Sequence, residues 1–303
     1  MNTLISIVGP TGIGKTKLSI YLAKKFKTEI ISCDSRQFYK ELNIGTSKPS
    51  KKKLKKIKHH FIGHLNIKNN YNISLFEKDV IKLLRKLFKK YKVIIMVGGS
   101  GLYEKTIIEG INIIPNIKKK KKLKIRKKLN TKNLEYLLKK LKKKDINYYN
   151  WLNNKKDKRK IIRALEFKYC TKKKLSSFYY KKKIKRPFKR YIRIGLIINI
   201  KKIYNKINKK VDLMIKKGLI NEAKKYYKYK KLNSLNTIGY KEIFKYLKKK
   251  NNINSCIEEI KKNTRNYAKK QIIWFKKYNN IKWFKPNNYK IIYIYIKKKL
   301  KNS

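Results

Sequence analysis

Near its start the chain reads Gly9-Pro10-Thr11-Gly12-Ile13-Gly14-Lys15-Thr16, a fit to G-x-x-x-x-G-K-[ST]. Glycines in such a loop let backbone N–H groups turn inward around phosphate oxygens, at the positive end of the helix that follows. Lys15 adds a charge for the terminal phosphates, and the Thr16 hydroxyl is the kind of oxygen that ligates Mg²⁺. The loop implies a diphosphate or triphosphate, without choosing between them and without requiring that ATP be hydrolysed. A chance match in a lysine-rich chain is the competing reading. A strand pattern before the loop and a helix pattern after it argue against chance.

The second candidate is Asp34, in Cys33-Asp34-Ser35-Arg36-Gln37. It directly follows the strand expected over residues 29–33, and in an open α/β sheet the carboxyl ends of the strands line the ligand crevice. The chain holds 16 acids against 87 bases, so a carboxylate at that position needs a reason. It either caps or bridges local structure, or it takes a proton from a nucleophile attacking beside the phosphate. Both readings stay open at this point.

The elements that must position these residues are legible as changes of period. Thr3–Val8 is a short, nearly continuous apolar run, which reads as a buried parallel strand. From Lys17 the pattern turns helical, with Leu18, Leu22 and Phe26 spaced by four. Residues 29–33 form a second strand, residues 76–88 an amphipathic helix, and Val93–Val97 a third strand that runs into Gly98-Gly99. Strands alternating with helices predict an α/β fold, a P-loop NTPase-like parallel sheet core. After Gly110 the texture changes. Residues 115–189 carry lysine runs and helical stretches at 134–141 and 161–167, with no good strand, before residues 191–198 restore a strand pattern. The expected organisation is a core of residues 1–114 and 190–303 with an inserted helical domain, 115–189. Long helices are expected over 211–227 and 257–277, while 291–296 fits either strand or helix.

The bulk numbers set outer bounds. With 303 residues and 41% hydrophobic content the chain can bury a core. A net charge of +71 seeks a polyanion, nucleic acid first. Lys, Asn, Ile and Tyr are abundant throughout, as in proteins of A+T-rich genomes, and we assign roughly half of the excess charge to that drift. Cys33, Cys170 and Cys256 stand far apart with no CxxC pair, which argues against a zinc module and a disulfide framework. The N-terminus runs straight into a strand, leaving no room for a signal peptide. No uncharged apolar stretch reaches the length of a membrane span. A cytoplasmic protein is expected.

Several blocks, in order, resemble the tRNA dimethylallyltransferases, also called tRNA isopentenyltransferases. The phosphate loop is similar to that family's donor loop. Residues 31–49 (ISCDSRQFYKELNIGTSKP) resemble its aspartate block, and His59-His60 with Tyr71, Phe76 and Asp79 its next segment. Residues 97–103 (VGGSGLY) with Glu109-Gly110 resemble its glycine-glycine block. Residues 162–166 (IRALE), 238–242 (IGYKE) and 264–271 (TRNYAKKQ) with Trp274-Phe275 resemble later blocks. The chain departs from the family's pattern at Ser100, usually threonine, and at Lys122, where an arginine contacting tRNA is usual. It departs also at Asn236, Ile273 and Gly63.

The resemblance implies transfer of a dimethylallyl group from dimethylallyl pyrophosphate to N6 of adenosine 37, beside the tRNA anticodon. Gly9, Pro10, Thr11, Gly12, Ile13, Gly14, Lys15 and Thr16 would hold the donor pyrophosphate or nucleotide, with Mg²⁺ on Thr16. Asp34 would accept the N6 proton and Ser100 would orient substrate. Residues implied to face tRNA are Asp34, Ser35, Arg36, Gln37, Ser100, Lys122, Arg159, Lys160, Ile161, Ile162 and Arg163. The target base would leave its stack to reach the site, the basic insertion would grip the anticodon stem-loop, and the protein would act as a monomer.

Blander readings apply elsewhere. His59, His60 and His64 are expected to be structural rather than metal ligands. Trp274, Phe275, Trp283 and Phe284 are expected in the core rather than as a base-stacking platform. The lysine runs at 118–122 and 142–144 read as solvated faces. Three other functions share features with the lead one: a P-loop small-molecule kinase, a non-enzymatic RNA-binding protein, and prenyl transfer to a free adenine nucleotide. ATP turnover would mark the first, an accidental phosphate loop the second, and the long basic insertion counts against the third.

Overall fold

In the computed structural model, which describes all residues except 112, 113, 116, 118, 180–184, 249–251 and 303, the apolar runs become a parallel sheet. Its strands are β1 (Thr3–Val8), β2 (Ile30–Ser32), β3 (His59–His60), β4 (Val93–Val97), β5 (Arg190–Leu196) and β6 (Ile281–Phe284), in the order β3-β2-β4-β1-β5-β6. All five pairings are parallel, with Ile5 of β1 registered between Ile95 and Ile192. Every residue of β1 and β4 is buried, which is why β4 reads as an unbroken apolar run and β1 as a nearly continuous one. Ser6 and Arg193 are polar residues inside the sheet. Both bond the buried Glu104 carboxylate, at 3.0 Å from the Ser6 hydroxyl and 2.9 Å from Arg193 Nε, so no charge is left unpaired.

Helices α1 (Lys15–Lys25), α2 (Lys51–Lys56), α3 (Ile73–Leu87) and α4 (Gly101–Glu109) fall between or after the first strands. The neighbours β4 and β2 lie on one side of β1, and β5 and β6 on the other. The strand order therefore reverses at β1, and the loops after β1, β2 and β4 meet at one end of the sheet. That is where open α/β sheets bind ligands.

The contacts divide the chain into two compact units, residues 1–108 with 186–303, and residues 109–185. The second unit contains α5 (Lys119–Asn130), α6 (Leu134–Lys144), α7 (Ile146–Trp151) and α8 (Lys158–Thr171). Its own core packs Leu137, Leu141, Tyr148, Ile161, Leu165 and Phe167. The buried Asp145 caps α7 through Tyr148 N–H and also accepts from Ser176 N–H. Ile161 and Ile162, expected to face RNA, are instead buried in this core. At about 100° per residue, two consecutive positions of α8 turn inward while Arg159, Lys160 and Arg163 turn outward.

The first unit resumes with α9 (Ile200–Lys216), α10 (Leu219–Lys225), α11 (Tyr240–Tyr246), α12 (Ile253–Lys276) and α13 (Tyr289–Lys301). The single helix expected over 211–227 is thus two. Gly218, at φ +90°, takes the left-handed conformation that ends α9. Residues 291–296 are helical, inside α13, with Ile292 and Ile296 buried and Ile291 and Ile294 exposed. Strands β3 and β6 were not expected. Both sit at sheet edges, where a strand is short and half-solvated and leaves little apolar signal.

Candidate active site

The phosphate loop bends out of β1 at Gly9, whose φ of +138° and whose approach to β5 both demand glycine. A Cβ there would lie 2.6 Å from the Leu196 carbonyl oxygen. Gly14, at φ +108°, then delivers Lys15 and Thr16 into the first turn of α1. The Lys15 ammonium folds back onto its own loop, donating to the carbonyls of Gly9 at 2.8 Å and Pro10 at 2.7 Å. Burial pulls its pKa down to about 8; the Asp34 charge pulls it up and the Lys210 charge pushes it further down. A diphosphate would replace those carbonyls with full charges.

Lys210 escaped notice in the sequence, because one lysine among so many carries no signal. It reaches from α9 to put its Nζ 3.3 Å from the Thr11 hydroxyl. Burial lowers its pKa as well, against the opposing pull of Asp34. Two ammonium groups thus flank the phosphate loop, and both feel the Asp34 carboxylate.

Asp34 follows β2. Its N–H donates to the Ser32 hydroxyl at 3.3 Å, and its Oδ1 accepts from Arg36 N–H at 3.1 Å. One carboxylate oxygen therefore organises the turn, part of what the capping reading anticipated. The residue also lines a cavity of about 530 Å³ together with Thr11, Lys210, Tyr267 and Lys270. Ser35 and Arg36 line the same cavity. Ser100, at the start of α4, accepts from Ser35 N–H at 3.3 Å and stands 3.3 Å from the Ser35 hydroxyl. Tyr267 on α12 stands beside Ser100; burial and the Asp34 charge push its pKa up to about 12, so it stays neutral at ordinary pH. No chemical role attaches to Tyr267 in the sequence alone.

Gln37 turns its amide away to the carbonyls of Thr46 and Ser47, both at 3.3 Å, which fixes the cavity wall. The same wall is held from behind by Glu222. Its carboxylate accepts the N–H groups of Asn43, Ile44 and Gly45 at 2.9–3.0 Å, and the Tyr240 hydroxyl at 2.5 Å.

In the second unit Arg159 is 94% exposed and Lys160 and Arg163 are exposed beside it. Lys122 is half-exposed, 3.6 Å from Glu166, whose main partner is Arg126 at 2.6 Å. The histidines serve structure: His59 meets the Ile57 carbonyl at 2.7 Å, His60 meets Glu29 at 2.5 Å, and His64 packs edge-on against Phe38, Phe61 and Tyr71. Phe275 is buried, with Trp274 and Trp283 packed on its cluster and Phe284 against Tyr295. Among the described residues no three or more His, Cys, Asp and Glu side chains cluster to hold a metal, and no helix is long and apolar enough to cross a membrane. Burial raises the Cys33 thiol pKa well above the ordinary range, so this cysteine beside Asp34 is no nucleophile.

Comparison with known proteins identifies this arrangement. A family model described as IPP transferase matches residues 37–278. The tRNA dimethylallyltransferase of Christiangramia forsetii is 48% identical over 300 residues, covering 99% of each chain. The chain belongs to the IPP transferase family. The tRNA dimethylallyltransferase of Flavobacterium psychrophilum is similar at 44% identity, over 96% of this chain and 97% of its own. Among solved structures, the full-length tRNA isopentenylpyrophosphate transferase of Bacillus halodurans superposes with a TM-score of 0.74 at 30% identity, covering 100% of this chain and 98% of its own. A eukaryotic dimethylallyltransferase described as acting on tRNA gives 0.80 at 28% identity, over 95% and 75%. The IPP transferase match begins at residue 37, just past the phosphate loop and Asp34, whereas the full-length relatives span both.

Proposed function

We propose that this IPP transferase family member moves a dimethylallyl group from dimethylallyl pyrophosphate to N6 of adenosine 37 in tRNA and releases pyrophosphate. The observation that carries the reading is the shared cavity: Asp34 lines it together with Thr11 of the phosphate loop and Lys210. An amine acceptor placed between them meets a proton acceptor on one side and a diphosphate holder on the other. The names and full-length coverage of the relatives support the same reading.

In this account the N6 lone pair forms the bond to the donor's first carbon while the carbon–oxygen bond to the diphosphate breaks. The electron pair leaves with the pyrophosphate, whose growing charge is met by Lys15, Lys210 and the N–H groups of residues 12–15. Asp34 hydrogen-bonds the amine and receives its proton. Ser100, held by Ser35, orients the acceptor. Thr16 contributes a hard hydroxyl oxygen at the head of α1, a donor of the kind that suits Mg²⁺. When bound, Mg²⁺ would neutralise charge on the diphosphate. Arg159, Lys160, Arg163 and Lys122 in the second unit would grip phosphates of the anticodon stem-loop.

The test is incubation with labelled dimethylallyl pyrophosphate and Mg²⁺ in the presence of tRNA, or of ATP with small acceptors. Label entering tRNA is the expected result. ATP consumption with no label in tRNA would replace this reading with the kinase one.

A further inference from the structure

One face of α12 presents Tyr267, Gln271 and Trp274, at the i, i+4, i+7 spacing that aligns side chains along a helix. Each engages one of three successive residues in the loop after β4. Tyr267 stands beside Ser100. Gln271 Nε2 donates to the Gly99 carbonyl at 2.8 Å. The Trp274 indole lies so close over Gly101 that a Cβ there would collide with its ring nitrogen.

Gln271 also spans to the other loop: its Oε1 accepts Thr11 N–H at 2.9 Å. The residue is 5% exposed, and a Cβ at Gly99 would collide with its amide nitrogen. A single side-chain amide therefore ties the phosphate loop to the loop that carries Ser100. Thr11 N–H lies just before residues 12–15, whose N–H groups are the ones assigned to the diphosphate. Only an amide of this length supplies one acceptor and one donor at its tip. Leucine supplies neither. Glutamate keeps the acceptor for Thr11 but opposes the Gly99 carbonyl and adds a negative charge near Lys15, whose Nζ lies 3.8 Å from where a Gly99 Cβ would sit.

We propose that Gln271 is a positioning residue for prenyl transfer, fixing the distance between the donor held by the phosphate loop and the acceptor oriented by Ser100. The proposal rests on the transferase reading above. Gln271 acts by holding two loops in one register. Misplacement of reacting atoms by about 1 Å costs roughly 10²-fold in rate.

The experiment compares wild type with Gln271→Leu, which preserves bulk and deletes both bonds. Single-turnover transfer at saturating donor and tRNA is expected to fall by roughly 10²-fold per folded molecule. Affinity for inorganic pyrophosphate and for tRNA, each measured by titration, should stay close to wild type. A purely structural role would lower the melting temperature without splitting rate from binding. If the leucine variant does not fold, Gln271→Met, uncharged and close to glutamine in length, carries the same expectation. An unchanged rate per folded molecule overturns the proposal, as does a loss confined to pyrophosphate affinity. Failure of the wild-type protein to label tRNA would instead remove the transferase reading itself.

Discussion

The Lys210 ammonium stands 3.3 Å from the Thr11 hydroxyl, so a helix far along the chain completes the charge lining of a loop near its start. A buried charge-assisted bond to a bound anion is worth about 1.5–3 kcal/mol. Lys210→Met should therefore weaken inorganic pyrophosphate binding by about 10–100-fold, read by calorimetry at constant ionic strength. An unaltered affinity would mean that Lys210 serves the fold alone.

Lys15 supports a sharper statement because its charge is poised. Burial lowers its pKa to about 8, so the free protein loses that charge as pH rises through 8. Binding an anion favours the charged form, so donor binding takes up a proton and weakens on the alkaline side. A phosphate's second ionisation lies near 6, so the donor's own charge is nearly constant over this range. The KM for donor should rise between pH 7.5 and 9.5, and Lys15→Ala should abolish tight binding of a non-reactive donor analogue. A flat profile, or an alanine variant that binds the analogue normally, contradicts the role given to Lys15.

For the second unit the outward and inward faces of α8 separate two effects. Neutralising Arg159, Lys160 and Arg163 together should reduce the slope of log affinity for tRNA against log salt, by roughly 0.7–0.9 for each phosphate the protein no longer neutralises. Ile162→Ala should leave that slope intact and lower stability by about 2–5 kcal/mol, because it opens a cavity among buried side chains. Filter binding across a salt series and chemical denaturation read the two separately. An unchanged slope in the triple variant would show that this helix is not the RNA grip.

How much of this was legible in the residues follows from burial. Strands β1 and β4 are covered on both faces, so their apolar runs stand out against any background. The edge strands β3 and β6 are short and half-wet, and nothing in their composition separates them from loop. The break between α9 and α10 hides in one glycine inside an otherwise continuous amphipathic pattern. For the site, the phosphate loop and Asp34 were readable because their chemistry is local in sequence. Lys210, Tyr267 and Gln271 were not, since each acquires its role only when a distant helix packs against the loops after β1 and β4. Ile161 and Ile162 belong to a block the resemblance places towards RNA, yet they are buried because consecutive helical positions point about 100° apart.

The most direct test of the account concerns Asp34. An adenine amine is a weak nucleophile, its lone pair delocalised into the ring, and a carboxylate hydrogen-bonded to it both enriches the nitrogen and receives its proton. Asparagine at this position keeps the size and an oxygen that can still accept from Arg36 N–H, but removes the base. General-base contributions run to about 10²–10⁴-fold. Single-turnover transfer by Asp34→Asn is expected to slow by that factor while tRNA and donor affinities stay close to wild type. Transfer at the wild-type rate, with only tRNA binding weakened, would contradict the account and leave Asp34 as a positioning residue of its own turn.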